Sequence, residues 1–383
     1  MISSSLLALA LLAGAPPTES DAKKRAEELV AQLGDKDYRD REKAAKELLE
    51  IGYVAKEAVL AGQSHSDNEI SDRCKKLYPA IWKHDLEKRV QRFLDKPEAA
   101  IPDDLPGAAR WLKIAGNGKE SRAFYAEMVK SHPEPLLEIE LHPERLKDVY
   151  EELMKSVYAR TVRTTSQTAA SRQPLDSEVL LYLFLGGAGE VRPNMSHGVG
   201  LAHYYQFLNS PFLASKLSAS PGVESMRKLY AGWLEKERYS IILRRGIDLA
   251  AQHGVKECAP IALRIASDAK TSGYIRATAM LGFAKLGTKE DLKELEPFLK
   301  DKFHIANVIV NKEQATVQMR DVALGAAIHL AGENLADFGF ERKLPTGINS
   351  ISSYTYYAFG SDQKRDAAHA KWKEWAEKNL KEK

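Results

Sequence analysis

The sequence predicts an all-α fold, an α-α superhelix of paired helices with a small β-hairpin inserted near 308–317. Three observations carry this. Gly254-Val-Lys256-Glu257 leads to Asp268, and Gly287-Thr-Lys289-Glu290 leads to Asp301, so one pattern returns in register 33 residues later (254 to 287). Arg41-x-x-Ala44, Arg276-x-x-Ala279 and Arg320-x-x-Ala323 each precede an apolar run that closes on a glycine, Gly52, Gly287 and Gly332 respectively. Ala, Leu, Glu and Lys, the strong helix formers, dominate the composition. Units that recur at such spacings cannot bury an apolar face alone and stack to do so.

At 383 residues and 44% hydrophobic, the chain is long enough for two globular units or one long array. Its 56 basic and 53 acidic residues nearly cancel, which argues against a nucleic-acid binder that relies on a strong positive field. Residues 1–22 have the pattern of a secretory signal peptide. Leu6–Ala15 is a short apolar run, too short to span a bilayer, so the expectation is export to the periplasm or the outside, with no integral membrane span. A lipid anchor at Ala15 is excluded, because that position would have to be Cys. Only Cys74 and Cys258 occur, with no C-x-x-C, and they are expected as two separate buried thiols.

Residues 23–163 read as an N-terminal helical unit. Ala26, Leu29, Val30 and Leu33 mark a first helix, and Asp37 is the N-cap of a second, carrying Ala44, Ala45, Leu48 and Leu49 and closed by Gly52. Residues 68–95 are helical with Pro79 as a kink or break, and their interleaved charges describe a solvated face. Lys96–Pro106 is a connector, and two short helices come after it, around Trp111 and Phe124. Pro143 then opens a helix whose Leu146, Val149, Tyr150, Leu153, Met154, Val157, Tyr158 and Thr161 form one wide stripe. Residues 164–174 contain no large apolar side chain and read as a linker to a second unit, 175–383.

In the second unit, Val179–Leu185 is a continuous apolar run, and Gly186-Gly-Ala-Gly189 is expected to open a loop lasting to Gly200. The glycines match neither a dinucleotide fingerprint nor a phosphate loop. His197 and His203 lie six apart with no carboxylate between, which suits surface or packed histidines better than metal ligands. No HExxH, no G-x-S-x-G and no base-flanked Cys is present, so no catalytic residue, cofactor or metal site is expected. Ile275, Ala279, Phe283 and Leu286 form one helical face that Gly287 ends in a left-handed conformation, and Leu292, Leu295, Phe298 and Leu299 give a second short helix antiparallel to it. Val308 and Val310 alternate with polar residues around Asn311-Lys-Glu, the hairpin signal. Tyr354, Tyr356, Tyr357 and Phe359 precede a helix with Ala368, Trp372, Trp375 and Ala376 on one face. Such rings either cap the last exposed edge of a helical stack or offer a glycan- or peptide-docking platform.

Arg276–Gly287, Val317-Gln-Met-Arg-Asp-Val-Ala-Leu324 and Lys371-Trp-Lys-Glu-Trp375 resemble the exported HEAT-repeat proteins of planctomycete bacteria, over the chain from about Met226 and more loosely over Asp35–Gly62. The resemblance implies an α-α superhelix and a binding or scaffolding role with a protein partner, and brings no catalytic residues. The sequence therefore points to an exported, non-catalytic interaction module. His197, His203, Tyr354, Tyr356 and Tyr357 are its candidate binding residues. An enzyme with a site in the Gly186–Gly200 loop, or a glycan-binding module using Tyr354–Phe359, are the alternatives.

Overall fold

The structure, a computed structural model, describes residues 18–95, 104–162, 173–189, 200–218, 224–310, 312–342 and 353–380. Helix accounts for 77% of them, with one two-stranded antiparallel sheet, so the protein is an all-α helical array carrying a β-hairpin. Residues 1–17 of the signal segment and 164–172 of the linker lie outside the described residues; the segment's last residues, 18–22, are described and run into the first helix, Glu19–Gln32. The chain forms two compact units, Met1–Arg92 and Phe93–Lys383.

The first unit holds α1 (Glu19–Gln32), α2 (Tyr38–Ile51), α3 (Lys56–Gly62) and α4 (Asn68–Lys83), and α5 (Leu86–Asp95) crosses its boundary. Asp37 caps α2 as expected, its carboxylate accepting the Arg39 N–H at 2.8 Å, and Asp67 repeats the device at α4 with the Glu69 N–H, also at 2.8 Å. Pro79 does not end α4, which continues to Lys83; the break comes at Asp85, whose φ of 57° leaves the helical region. Ala26, Leu29, Ala44, Leu48, Val59, Cys74 and Ile81 form the core. Arg41, of the Arg-x-x-Ala pattern, donates to the Asp35 carbonyl at 2.7 Å and pairs with Glu69 at 3.3 Å, so it ties the turn before its helix to an acid beyond it.

The second unit begins with α6 (Ala108–Ala115), α7 (Lys119–Ser131), α8 (Pro133–Leu141) and α9 (Leu146–Val162). Next come α10 (Asp176–Ala188), α11 (Leu201–Leu208), α12 (Pro211–Ser218) and α13 (Glu224–Lys236). α10 is apolar all round because it is enclosed all round, by α7, α9 and α13. Its Tyr182 ring stacks on Phe207 at 4.3 Å and on Tyr150 at 5.3 Å. α9 and α10, on either side of 164–174, pack together within this unit.

The repeat-like part comprises α14 (Ser240–His253), α15 (Ala259–Ser267), α16 (Gly273–Leu286), β1 (His304–Val310), β2 (Glu313–Gln318) and α17 (Met319–Ala331), and α18 (Asp362–Asn379) closes the chain. The two matched Asp residues do the same work. Asp268 and Asp301 have nearly the same backbone (φ −74°, ψ 104° and φ −78°, ψ 103°), and each carboxylate accepts the N–H two residues on, at 2.9 Å. Arg276 repeats the Arg41 pattern, donating to the Ala266 carbonyl at 2.8 Å and pairing with Asp301 at 2.9 Å.

The hairpin is an insertion in the turn after Asp301. The first amides of α17, Met319 and Arg320, donate to the Phe303 and Asp301 carbonyls at 2.9 and 2.8 Å, so the chain leaves for the hairpin and returns to the same place. Pairing runs from Val310↔Glu313 through Val308↔Ala315 to His304↔Gln318, a hairpin four residues longer at its start than the sequence signal.

Two expectations around Gly287 are corrected. Gly287 has φ −78° and ψ −178°, extended rather than left-handed, and sits in a tight place: a Cβ there would lie 3.1 Å from the Phe283 carbonyl oxygen and from an Asp291 carboxylate oxygen, close enough that these neighbours would have to shift slightly. Beyond it the chain forms no second α-helix but two 3-10 segments, Lys289–Leu295 and Phe298–Lys300, separated by Pro297. Ala279, by contrast, is fully buried in α16, as close packing of paired helices requires. Ala279→Leu is expected to overpack the site and cost about 1–3 kcal/mol, read as a lower melting temperature.

Candidate functional site

The Gly186–Gly200 segment divides in two. Gly186 and Gly187 belong to α10 rather than to a loop, and both serve helix packing. A Cβ on Gly186 would lie 2.5 Å from the Trp233 ring, and one on Gly187 would lie 3.3 Å from the Gly232 backbone of α13. Residues 190–199, His197 among them, lie outside the described residues. His203 opens α11, where its Nδ1 accepts the Gly200 N–H at 3.0 Å and its ring stacks on Tyr158 at 4.0 Å. Its role there is to cap one helix and join it to α9.

That cap needs an unprotonated Nδ1, and burial pushes the His203 pKa down; burial also lowers His132 and His253, and takes His369 down to about 4. Each folded value lies below the ordinary imidazole value of about 6.5. On acidification the unfolded chain therefore takes these protons first, and stability is lost as pH falls through about 6.5 toward the folded values. The melting temperature is expected to fall from about pH 7 to about pH 6, and His203→Gln to flatten part of that slope in a thermal-melt series.

Tyr354, Tyr356 and Tyr357 share one 3-10 turn, Tyr354–Tyr357. Tyr357 is buried against Gly325 of α17, where a Cβ would come within 2.1 Å of its ring, and meets Phe340 edge-on at 5.8 Å. Phe359 packs on Phe340 at 4.9 Å and bridges to Thr316 of β2, each backbone N–H donating to the other's carbonyl at 3.1 Å. Tyr354 and Tyr356 are half-buried, the latter beneath the Arg342 guanidinium at 4.8 Å. Thus the helix of His203 packs against α9 and α14, and the turn of the tyrosines against α16 and α17; the described candidates do not form one site.

The element that locks this end is Arg365, at 1% exposure. Its Nε donates to Asp321 at 2.8 Å, one terminal nitrogen donates to the Thr316 hydroxyl at 2.7 Å and carbonyl at 3.2 Å, and the other pairs with Asp362. Asp321, at 0% exposure, also accepts the Gln318 N–H at 2.8 Å. One guanidinium thereby joins α18, β2 and α17. Burial still raises the Asp321 carboxyl to about 6.

With α18 fixed, a groove opens between it and the two 3-10 segments, with a volume of about 680 Å³. Leu292, Leu299, Ala327, Trp372, Ala376 and Leu380 supply its apolar lining, and Glu290, Lys293, Glu296, Lys300, Lys373 and Glu377 alternate in sign along its sides. Trp372 stacks on Trp375 at 5.0 Å, and the Lys289 ammonium lies 5.7 Å from the Trp375 ring. The Nε2 of His369, which lines the same groove, is buried with no hydrogen-bond partner among the described residues.

The sequence pattern predicts an α-helix after Gly287, and the structure has the two 3-10 segments in its place. Leu292, Leu295 and Phe298 step by three, the 3-10 period, and that spacing is the signal in the sequence that points to them. Those three side chains are buried, and Leu292 and Leu299 also line the groove. Among the described residues no group of three or more His, Cys, Asp or Glu is placed to hold a metal, and no helix is long and apolar enough to cross a membrane. Compared with family models, curated proteins and solved structures, the chain matches none.

Proposed function

We propose that the protein is an exported, non-catalytic interaction module that takes an amphipathic helical segment of a protein partner in the groove between α18 and residues 289–300. The observation that carries this reading is the form of the groove. Its volume of about 680 Å³ lies within the ~300–1,000 Å³ of ordinary ligand clefts. Its charged lining comes from both walls, Glu290, Lys293, Glu296 and Lys300 from residues 289–300 and Lys373 and Glu377 from α18, and flanks an apolar floor of the kind an amphipathic helix lays its face into. The alternating Glu and Lys side chains suit a partner carrying both signs, and oppose a uniformly charged polymer such as nucleic acid. Burial of Tyr357 and Phe359 weighs against the glycan platform, since a stacking surface needs exposed ring faces.

The test is a titration of the purified protein with amphipathic peptides carrying Leu or Phe at i, i+4 and i+7, read by tryptophan fluorescence, because Trp372 and Trp375 lie in and beside the groove. Saturable binding is expected, abolished by Ala376→Arg with an unchanged melting temperature. Equal binding by Ala376→Arg, or none by the wild type across a broad peptide panel, overturns the reading.

A further inference from the structure

A second, smaller crevice lies between α14 and α16, with a volume of about 140 Å³. Its walls carry Arg245, Asp248 and Gln252 from α14 and Thr278 and Lys285 from α16. Gly282 keeps the helices close, since a Cβ there would lie 2.3 Å from Ile247. At about 30 Å³ per liquid water, the volume suits a tetrahedral oxyanion in place of four or five waters.

We propose that this crevice binds a small oxyanion of phosphate size, held between the Arg245 guanidinium and the Lys285 ammonium. The charges decide the sign of the ligand. Asp248 is the one carboxylate in the lining, against two cations, one from each helix, so the walls carry a net positive charge. Arg244, outside the crevice, lies 3.7 Å from Asp248 and offsets that carboxylate further. Asn209 accepts from one Arg245 nitrogen at 2.8 Å, which orients the guanidinium before any ligand arrives. A planar fork held in place loses less freedom on binding an oxyanion than a free side chain does. Gln252 adds amide N–H donors. Thr278 already donates its hydroxyl to the Tyr274 carbonyl at 2.9 Å, so it shapes the wall without supplying a proton. The site also lies in a partly desolvated place: burial raises the Asp248 carboxyl and lowers the Lys285 ammonium from their ordinary values. Electrostatic attraction to an entering anion is stronger there than at the open surface.

The test is calorimetric titration of the full-length protein with inorganic phosphate at fixed ionic strength, with O-phosphoserine as a second arm. Tighter binding of phosphoserine assigns the site to a phosphomonoester, and tighter binding of phosphate to the free ion. Lys285→Met and Arg245→Met should each weaken binding at least about tenfold, the ordinary worth of a charge-assisted hydrogen bond. Asp248→Asn should tighten it, because it removes the one repelling charge while keeping the shape. Thermal melts establish that each variant is folded. Absence of phosphate and phosphoserine binding in the wild type, unchanged affinity in both cation variants, or weaker binding by folded Asp248→Asn overturns the proposal.

Discussion

Deleting Gly339–Lys383 is expected to yield a protein that aggregates or melts far below the full-length chain. The deletion removes four buried rings, Phe340, Tyr357, Phe359 and Trp372. At about 1.5–3 kcal/mol per buried aromatic or large aliphatic side chain, that forfeits on the order of 10 kcal/mol, as much as the whole stability of many domains. It also leaves Gly325 without the ring that covers it, and Asp321 without Arg365. Size-exclusion chromatography and a thermal melt check this. A monomer that melts with the full-length protein would show that the aromatic segment is no cap.

Arg365→Met is the sharper experiment, because one side chain changes and the apolar stem is kept. It strands a fully buried Asp321 carboxylate, and breaking such a pair costs about 3–5 kcal/mol. At about 2–4 °C per kcal/mol in a unit of this size, the melting temperature should fall by roughly 6–20 °C. Arg365→Met with Asp321→Asn should recover much of the loss, since the uncompensated charge is then gone. The pH response separates the mechanism from simple loss of packing. Burial already raises the Asp321 carboxyl to about 6, and loss of the guanidinium raises it further. Protonation would therefore relieve the single variant, whose deficit against the wild type should shrink as pH falls from about 7 toward 5. A constant deficit across that range would show that the pair is not what the substitution breaks.

How much of the fold is legible in the sequence depends on whether a contact is local. α9 shows in its stripe because one side of it is packed and the buried Val149, Tyr150, Leu153, Met154 and Val157 keep the helical period. α16 and α17 give weaker patterns because nearly every position in them is buried, so no polar face marks the period. The Gly254 and Gly287 repeat is legible because its Asp residues satisfy amides two residues away. Arg365 and Asp321, 44 residues apart, have no such local sign. The 3-10 segments that wall the groove are hard to read because Leu292, Leu295 and Phe298 step by three while the adjacent Leu299 also completes an α-helical face. The glycines of α10 read as a loop because a glycine that lets two helices touch and a glycine that opens a loop look the same until the partner helix is in view.

The most direct measurement of the central claim is hydrogen–deuterium exchange on the full-length protein with and without a bound amphipathic peptide. Occupation of the groove predicts slowed exchange confined to the amides of Lys289–Lys300 and α18, with Tyr354–Phe359 unchanged. Protection centred on Tyr354–Phe359, or on helices remote from the groove, would contradict it.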